Sequence, residues 1–257
     1  MTVFYVAILS LIEGVTEFLP VSSTGHLILA SELLGIPQTD AHKSFEIAIQ
    51  LGAILAVVVL YARTLLRDRR TLLLTITAFI PTGIIGFLLH GIVKDMLLGS
   101  TTVVLVSLFL GGIVLIVFEL PAFRRKKPAM GEICQMSYVH AVLIGVFQSV
   151  AIIPGVSRSA ATIIGGELIG MSRKSIVEFS FLLAIPTMAA ATGYDLLKSA
   201  GEFTSGDVQN LLIGFVLSFV FALIAVRWFI SYVKEHSFVA FGVYRIILAL
   251  TFFLFWK

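Results

Sequence analysis

Six apolar runs long enough to cross a bilayer mark the chain, at roughly 44–61, 71–90, 101–119, 176–194, 208–227 and 237–256. Each is close to the ~20 residues that carry a helix across ~30 Å of hydrocarbon, so the pattern predicts six transmembrane helices. Four other apolar stretches are too short or are interrupted. Residues 3–19 carry Glu13 and Glu17 before Pro20, and residues 138–153 stop at Pro154. Residues 24–35 and 159–170 each give only about 18 Å of helix at ~1.5 Å per residue. Two short helices joined at a polar, proline-containing break predict a re-entrant hairpin, one over 3–35 and a second over 138–171. Irregular backbone at membrane depth survives only when it is buried in protein or lines a water-filled cavity.

The two hairpins are related. Glu13–Ile36 set on Gln148–Met171 without gaps, at an offset of 135, brings the proline breaks within one residue of each other and aligns the polar tips. Val15/Val150, Val21/Val156, Ser22/Ser157, Ile28/Ile163, Glu32/Glu167, Leu33/Leu168 and Gly35/Gly170 are identical. A Lys-Ser pair recurs beyond them, at Lys43-Ser44 and Lys174-Ser175. The reading is an internal duplication: repeat 1 over about 1–120 and repeat 2 over about 136–257, each a hairpin followed by three spans. A hairpin returns to its own side and three crossings do not, so the second repeat is expected to be inverted. Inverted repeats place binding sites at their interface.

Charge follows the same division. Arg63, Arg67, Arg69, Arg70, Arg124, Arg125, Lys126, Lys127, Arg173, Lys174, Arg227 and Lys234 fall on one side of this topology. Only Lys43, Lys94, Lys198 and Lys257 fall on the other. The positive-inside bias makes the richer side cytoplasmic. Composition agrees with an all-α integral membrane protein: 58% of residues are hydrophobic and 13% charged, with mean hydropathy +1.05. A soluble domain carries about 25% charged residues. The whole chain, 1–257, reads as one membrane domain without a soluble module. The N-terminus lacks the basic start and cleavage site of a signal peptide. The single cysteine, Cys134, excludes an intramolecular disulfide and reads as a packing residue. Nothing points to nucleic acid, a phosphate-loop glycine pattern or a zinc site.

The polar residues of the two breaks are the candidate chemistry. Glu13 and Glu17 are four apart and share a helix face. Two acids within one turn repel unless a cation or a shared proton separates them, which favours either a divalent-metal site or an ionised base beside a protonated acid. Ser22, Ser23 and Thr24 follow Pro20 at a helix start. One of them is expected to cap the helix, while the free N–H groups and the dipole offer an anion site. Ser157, Ser159 and Thr162 repeat this in the second tip. Arg158 lies among them; a guanidinium at membrane depth is costly and matches phosphate bidentately. Its alternative role is an ion pair with Glu13 or Glu17. His26 is a candidate acid–base group beside the hydroxyls. Glu46 and Gln50 could extend the site, and Tyr244 and Arg245 could buttress it.

"EGVTEFLPVSSTGHL", "SFEIAIQLGAILAVV", "PGVSRSAATIIGGELIG", "EFSFLLAIP" and "FVAFGVYRIILAL" together resemble the bacitracin-resistance family of undecaprenyl-diphosphate phosphatases, from the first hairpin to the last span. The resemblance implies an inner-membrane hydrolase that converts undecaprenyl diphosphate to the monophosphate carrier of peptidoglycan synthesis. It implies an active site open to the periplasm and dependence on Mg²⁺ or Ca²⁺. The family's acidic motif falls on Glu13 and Glu17, its hydroxyl-histidine motif on Pro20 to His26, and its arginine motif on Pro154 to Thr162. With it, Glu13, Glu17, Ser23 and His26 are expected to be catalytic. Ser22, Thr24, Ser157, Arg158, Ser159 and Thr162 are expected to bind the substrate phosphates, and Glu13 and Glu17 the metal. Two mechanisms stay open, a Ser23 nucleophile activated by His26 or a glutamate, and water on a Glu-bound metal with Ser23 as a ligand. A transporter or flippase of a phosphate-bearing lipid is the rival function. Oligomeric state is left open, a homodimer included.

Overall fold

The computed structural model describes residues 2–37, 39–92, 100–121, 129–199 and 205–255. Among the described residues, ten α-helices carry the fold: α1 Val3–Thr16, α2 Ser23–Leu33, α3 Asp40–Arg67, α4 Arg69–Ile92, α5 Thr101–Phe118, α6 Tyr138–Ser149, α7 Arg158–Leu168, α8 Arg173–Ser199, α9 Ser205–Glu235 and α10 Val239–Phe255. No β-strand occurs among the described residues. Five helices, α3, α4, α5, α8 and α9, are long and apolar enough to cross a bilayer. The sixth expected span, 237–256, is α10, whose 17 residues make a shorter apolar helix of about 26 Å at ~1.5 Å per residue. The protein is a multi-pass membrane protein. The basic loop Arg124–Lys127 and Lys94 and Lys257 lie outside the described residues.

The long helices overrun the apolar runs that predict them. α3 continues to Arg67 and α9 to Glu235, because Arg, Lys and Glu are good helix formers and hydropathy marks only where the hydrocarbon ends. Asp68 then breaks α3 and caps α4, accepting from the Thr71 N–H at 3.0 Å and the Thr71 hydroxyl at 2.6 Å. These bonds hold its carboxyl below the usual carboxylate range. Outward faces are apolar: Phe87, Leu88 and Phe253 are each at least 70% exposed, the reverse of a soluble surface.

The two halves pack reciprocally. α1 lies against α9, as α6 lies against α4. Both contacts depend on a small residue: a Cβ on Gly14 would sit 2.6 Å from Ser218 O, and one on Gly145 would sit 2.0 Å from Ala78 O. α5 pairs with α10 and α3 with α8, so each of those contacts joins one half to the other. Phe18, just past α1, packs edge-on against Phe181 of α8 at 5.5 Å, at the centre of the main core.

Opposite ends of the molecule anchor the two short-helix pairs. α1 starts and α2 ends around one cluster, where a cavity of about 370 Å³ is lined by Thr2, Tyr5, Ile36, His42 and Asn210 among others. Thr101, at the start of α5, donates there to Glu32 Oε2 at 2.9 Å. α6 starts and α7 ends at the basic cluster instead. Arg70 Nη2 donates to Met136 O at 3.1 Å, and Ala129 and Met130 N–H donate to Gly170 O. Arg173 binds Glu119 at 2.8 Å, Glu167 at 2.9 Å and His236 O at 3.2 Å, tying α5, α7, α8 and the α9–α10 turn together.

The candidate active site at the two tips

α2 and α7 start 135 residues apart, at Ser23 and Arg158, and their caps are equivalent serines. Ser22 Oγ accepts from Gly25 N–H, and Ser157 Oγ accepts from Ala160 N–H at 3.2 Å. Both caps hold positive φ, 72° at Ser22 and 80° at Ser157. That conformation is costly for serine and persists only where surroundings enforce it. The polar tips therefore repeat in three dimensions as well as in sequence.

The tips face one cavity of about 240 Å³, lined by Glu17, Ser22, Ser23, Thr24, Ser157 and Arg158 on its polar side and by residues 151–155 on its other wall. That is below the ~300–1,000 Å³ of a cleft that encloses a whole organic ligand, and suits a headgroup. The larger cavity at the far end of α1 contains none of the candidate residues.

Within it, three side chains form a line. The Ser23 hydroxyl donates to Glu17 Oε2. The other oxygen, Oε1, accepts from Arg158 Nη2 at 3.1 Å. Arg158 also donates through Nη1 to Ser180 O at 2.7 Å, and its guanidinium lies 5.7 Å from the Phe18 ring centroid. Its Nε is buried without a hydrogen-bond partner. The ion-pair role raised for Arg158 is thus realised with Glu17, and one donor of the fork is still unspent.

Other expected site residues lie beside the cavity, not in its wall. Glu13 is fully buried, and neither of its carboxylate oxygens has a hydrogen-bond partner. The charges bearing on it are those of Glu17, Glu46 and Arg158. Ser159 is buried and donates to Phe18 O at 2.9 Å. Thr162, also buried, bonds Ser180 Oγ at 2.6 Å. These two, three apart, share the inner face of α7, so they brace the tip and do not line the cavity.

Of the groups expected to activate Ser23, His26 or a glutamate, His26 bonds elsewhere through both ring nitrogens. Its Nδ1 lies 2.8 Å from Ser22 O, and its Nε2 lies 2.7 Å from the Tyr244 hydroxyl. A carbonyl only accepts, so Nδ1 carries the proton and a neutral ring presents a bare Nε2 to Tyr244. The carboxylate in contact with Ser23 is that of Glu17. Cys134, expected in packing, is exposed.

Among the described residues no group of three His, Cys, Asp or Glu is gathered as a metal cage. A hard divalent cation held by one or two carboxylates together with substrate phosphate needs none. The two orphaned Glu13 oxygens are the donor type such an ion takes, so the residues present fit it.

The profile of the bacitracin resistance protein BacA family matches residues 6–251. The chain belongs to the BacA family. Its relatives include an undecaprenyl-diphosphatase of Aquifex aeolicus, 55% identical with 99% of this chain and 100% of the relative covered. Another, from Persephonella marina, is 54% identical with 96% of each chain covered. One from Thermus thermophilus is 48% identical with 94% of this chain and 93% of the relative covered. In this BacA-family chain, sequence reasoning missed Ser180. Its carbonyl fixes Arg158 and its hydroxyl fixes Thr162, yet one serine inside an apolar span carries no signal of that role.

Proposed function

We propose that this chain hydrolyses undecaprenyl diphosphate to undecaprenyl phosphate and inorganic phosphate, with Ser23 as nucleophile and Glu17 as its base. The observation that carries this reading is the Ser23–Glu17–Arg158 line in a cavity between two helix starts. The names of its relatives supply the lipid.

The terminal phosphate sits against the tips, where Arg158, Ser157 and the free N–H groups of α2 and α7 neutralise it. Ser23 Oγ attacks the terminal phosphorus as its proton passes to Glu17. The Oγ–P bond forms, the anhydride P–O bond breaks, and the bonding pair leaves with the lipid monophosphate. Glu17 releases the proton to cavity water and then takes one from the water that attacks the phosphoserine. Phosphate departs and the Ser23 oxygen recovers the proton. Glu13 and Glu17 would hold a divalent cation such as Mg²⁺ or Ca²⁺, which supplies charge neutralisation on the diphosphate oxygens.

The two short-helix pairs are re-entrant hairpins in an inverted repeat, with α10 as a sixth span. The reciprocal packing of the halves and the opposite anchoring of α1–α2 and α6–α7 support this. The basic cluster faces the cytoplasm of a bacterial inner membrane and the site opens to the periplasm, an orientation supported by charge bias. A lipid transporter would use the same architecture, but it needs no nucleophile–base pair. Phosphate release from undecaprenyl diphosphate by the purified chain in detergent tests the reading: one phosphate per lipid is expected, and none would overturn it.

A further inference from the structure

Arg245, in the middle of α10, is completely buried, and no carboxylate is among its hydrogen-bond partners. Its hydrogen bonds all go to backbone carbonyls. Nε donates to Leu108 O at 3.3 Å, Nη1 to Pro20 O at 3.2 Å and Val156 O at 3.0 Å, and Nη2 to Ser107 O at 3.0 Å and Gly155 O at 2.8 Å. Five bonds match the five donors a guanidinium owns. Two acceptors are on α5 and three are on the tips. Pro20 and Gly155 are equivalent positions of the duplication, so one side chain holds the same carbonyl of both breaks. An apolar side chain would fill this space without a charge to desolvate. The arginine's use lies in what it aligns.

We infer that Arg245 is a positioning residue that locks the two tips together and directs the backbone N–H of Ser157 at the substrate phosphate. The peptide bonds are trans, so each N–H points opposite to the C=O of the same peptide unit. With Val156 C=O turned onto Arg245, the Ser157 N–H turns away from it. Arg245 does not line the phosphate cavity and Ser157 does. A helix-cap N–H has no intrahelical acceptor, which leaves it free for an anion. The same grip explains how Ser157 keeps its φ of 80°. Arg245 touches no reacting atom; it acts through the Ser157 amide and through the tip-to-tip distance.

This inference rests on the diphosphatase reading, and wild-type turnover tests that reading separately. The variants are Arg245→Lys and Gly111→Ala. A Cβ on Gly111 would lie 2.1 Å from Arg245 Nη2, so the alanine displaces the guanidinium without removing it. Both are purified in detergent, their melting temperatures taken, and kcat and KM for undecaprenyl diphosphate measured on folded protein. Expected is a kcat lower by on the order of 10²-fold, the loss typical of one oxyanion donor, with KM changed less than about threefold. Inorganic phosphate, as product inhibitor, should bind both variants more weakly. Folded variants with wild-type kcat and unaltered phosphate inhibition would overturn the inference, leaving Arg245 a packing residue. Hydrogen exchange on the wild type tests it without any variant. Inorganic phosphate should slow exchange of the Ser157 amide, and an unchanged rate would overturn the inference even if every variant failed to fold.

Discussion

The Ser23 hydroxyl donates to Glu17 across the Pro20 break, joining the residue that ends α1 as its C-cap to the first residue of α2. The proposed nucleophile and its proposed base are therefore in contact before substrate arrives. Ser23→Ala should leave no measurable turnover if Oγ forms the phosphoenzyme. If the hydroxyl is only a hydrogen-bond donor, the loss should stop at about 10²–10³-fold. Brief incubation with ³²P-labelled lipid diphosphate and acid quench should label wild type and not Ser23→Ala. Label on neither protein would move the chemistry to water.

Glu17→Gln keeps the shape and an acceptor for Ser23 but removes the charge. Loss of a general base typically costs about 10²–10⁴-fold, and that is the expected fall in kcat. The substitution also strands the Arg158 guanidinium, only 12% exposed, without its counter-charge. A lower melting temperature should accompany the lost activity. Full turnover in folded Glu17→Gln would show that the carboxylate serves only the ion pair.

The sequence made the tips legible because their signals are local: prolines, hydroxyls and charges interrupt apolar runs, and the interruption recurs after 135 residues. It did not reveal which tip residues reach the cavity. Ser159 and Thr162 have the same composition signal as Ser157 and Arg158, but the rotation of α7 turns them into the protein. The contacts of His26 with Tyr244 and of Pro20 with Arg245 span 218 and 225 residues. Such pairings arise from how α10 packs, and periodicity within α10 carries no record of them. Hydropathy likewise placed the middles of the long helices well and their ends poorly.

Orientation is testable by accessibility. Single cysteines at Arg63–Arg70 should react with membrane-impermeant reagents only from the cytoplasmic side, and those at 36–43 only from outside. The expectation comes from the basic cluster that ties α4 to the segment before α6, and α7 to α8, at one end of the molecule. Labelling of residues 36–43 from the cytoplasm alone would refute the inverted arrangement.

Arg158→Lys separates charge from geometry. Lysine keeps the positive charge but not the rigid fork that now reaches Glu17 and Ser180 O at once. If the fork clamps phosphate as charge develops, about 3 kcal/mol of transition-state stabilisation should be lost. The loss should appear mainly in kcat, since the prenyl chain would provide much of the ground-state binding. A kcat within about threefold of wild type, under ~0.7 kcal/mol, would remove Arg158 from the phosphate site.

Tyr244→Phe distinguishes a catalytic His26 from a bracing one. Tyr244 holds His26 Nε2 at 2.7 Å and stacks on its ring, with centroids 5.5 Å apart. The ring's other nitrogen grips the carbonyl of Ser22, the cap of the helix that starts with Ser23. A histidine bound this way at both ends fixes the Ser22–Ser23 turn and has no nitrogen free for Ser23. Phenylalanine removes the Nε2 partner and leaves the Nδ1 grip, so stability should fall by about 1–3 kcal/mol. kcat should fall less than about tenfold, and the pH–rate profile should keep its shape. His26→Ala, which releases Ser22 as well, should cost more than Tyr244→Phe and less than Ser23→Ala. If His26→Ala were instead as inactive as Ser23→Ala, and Tyr244→Phe shifted the pH–rate profile, proton transfer would belong to the histidine. Glu17 would then be left as the holder of Arg158.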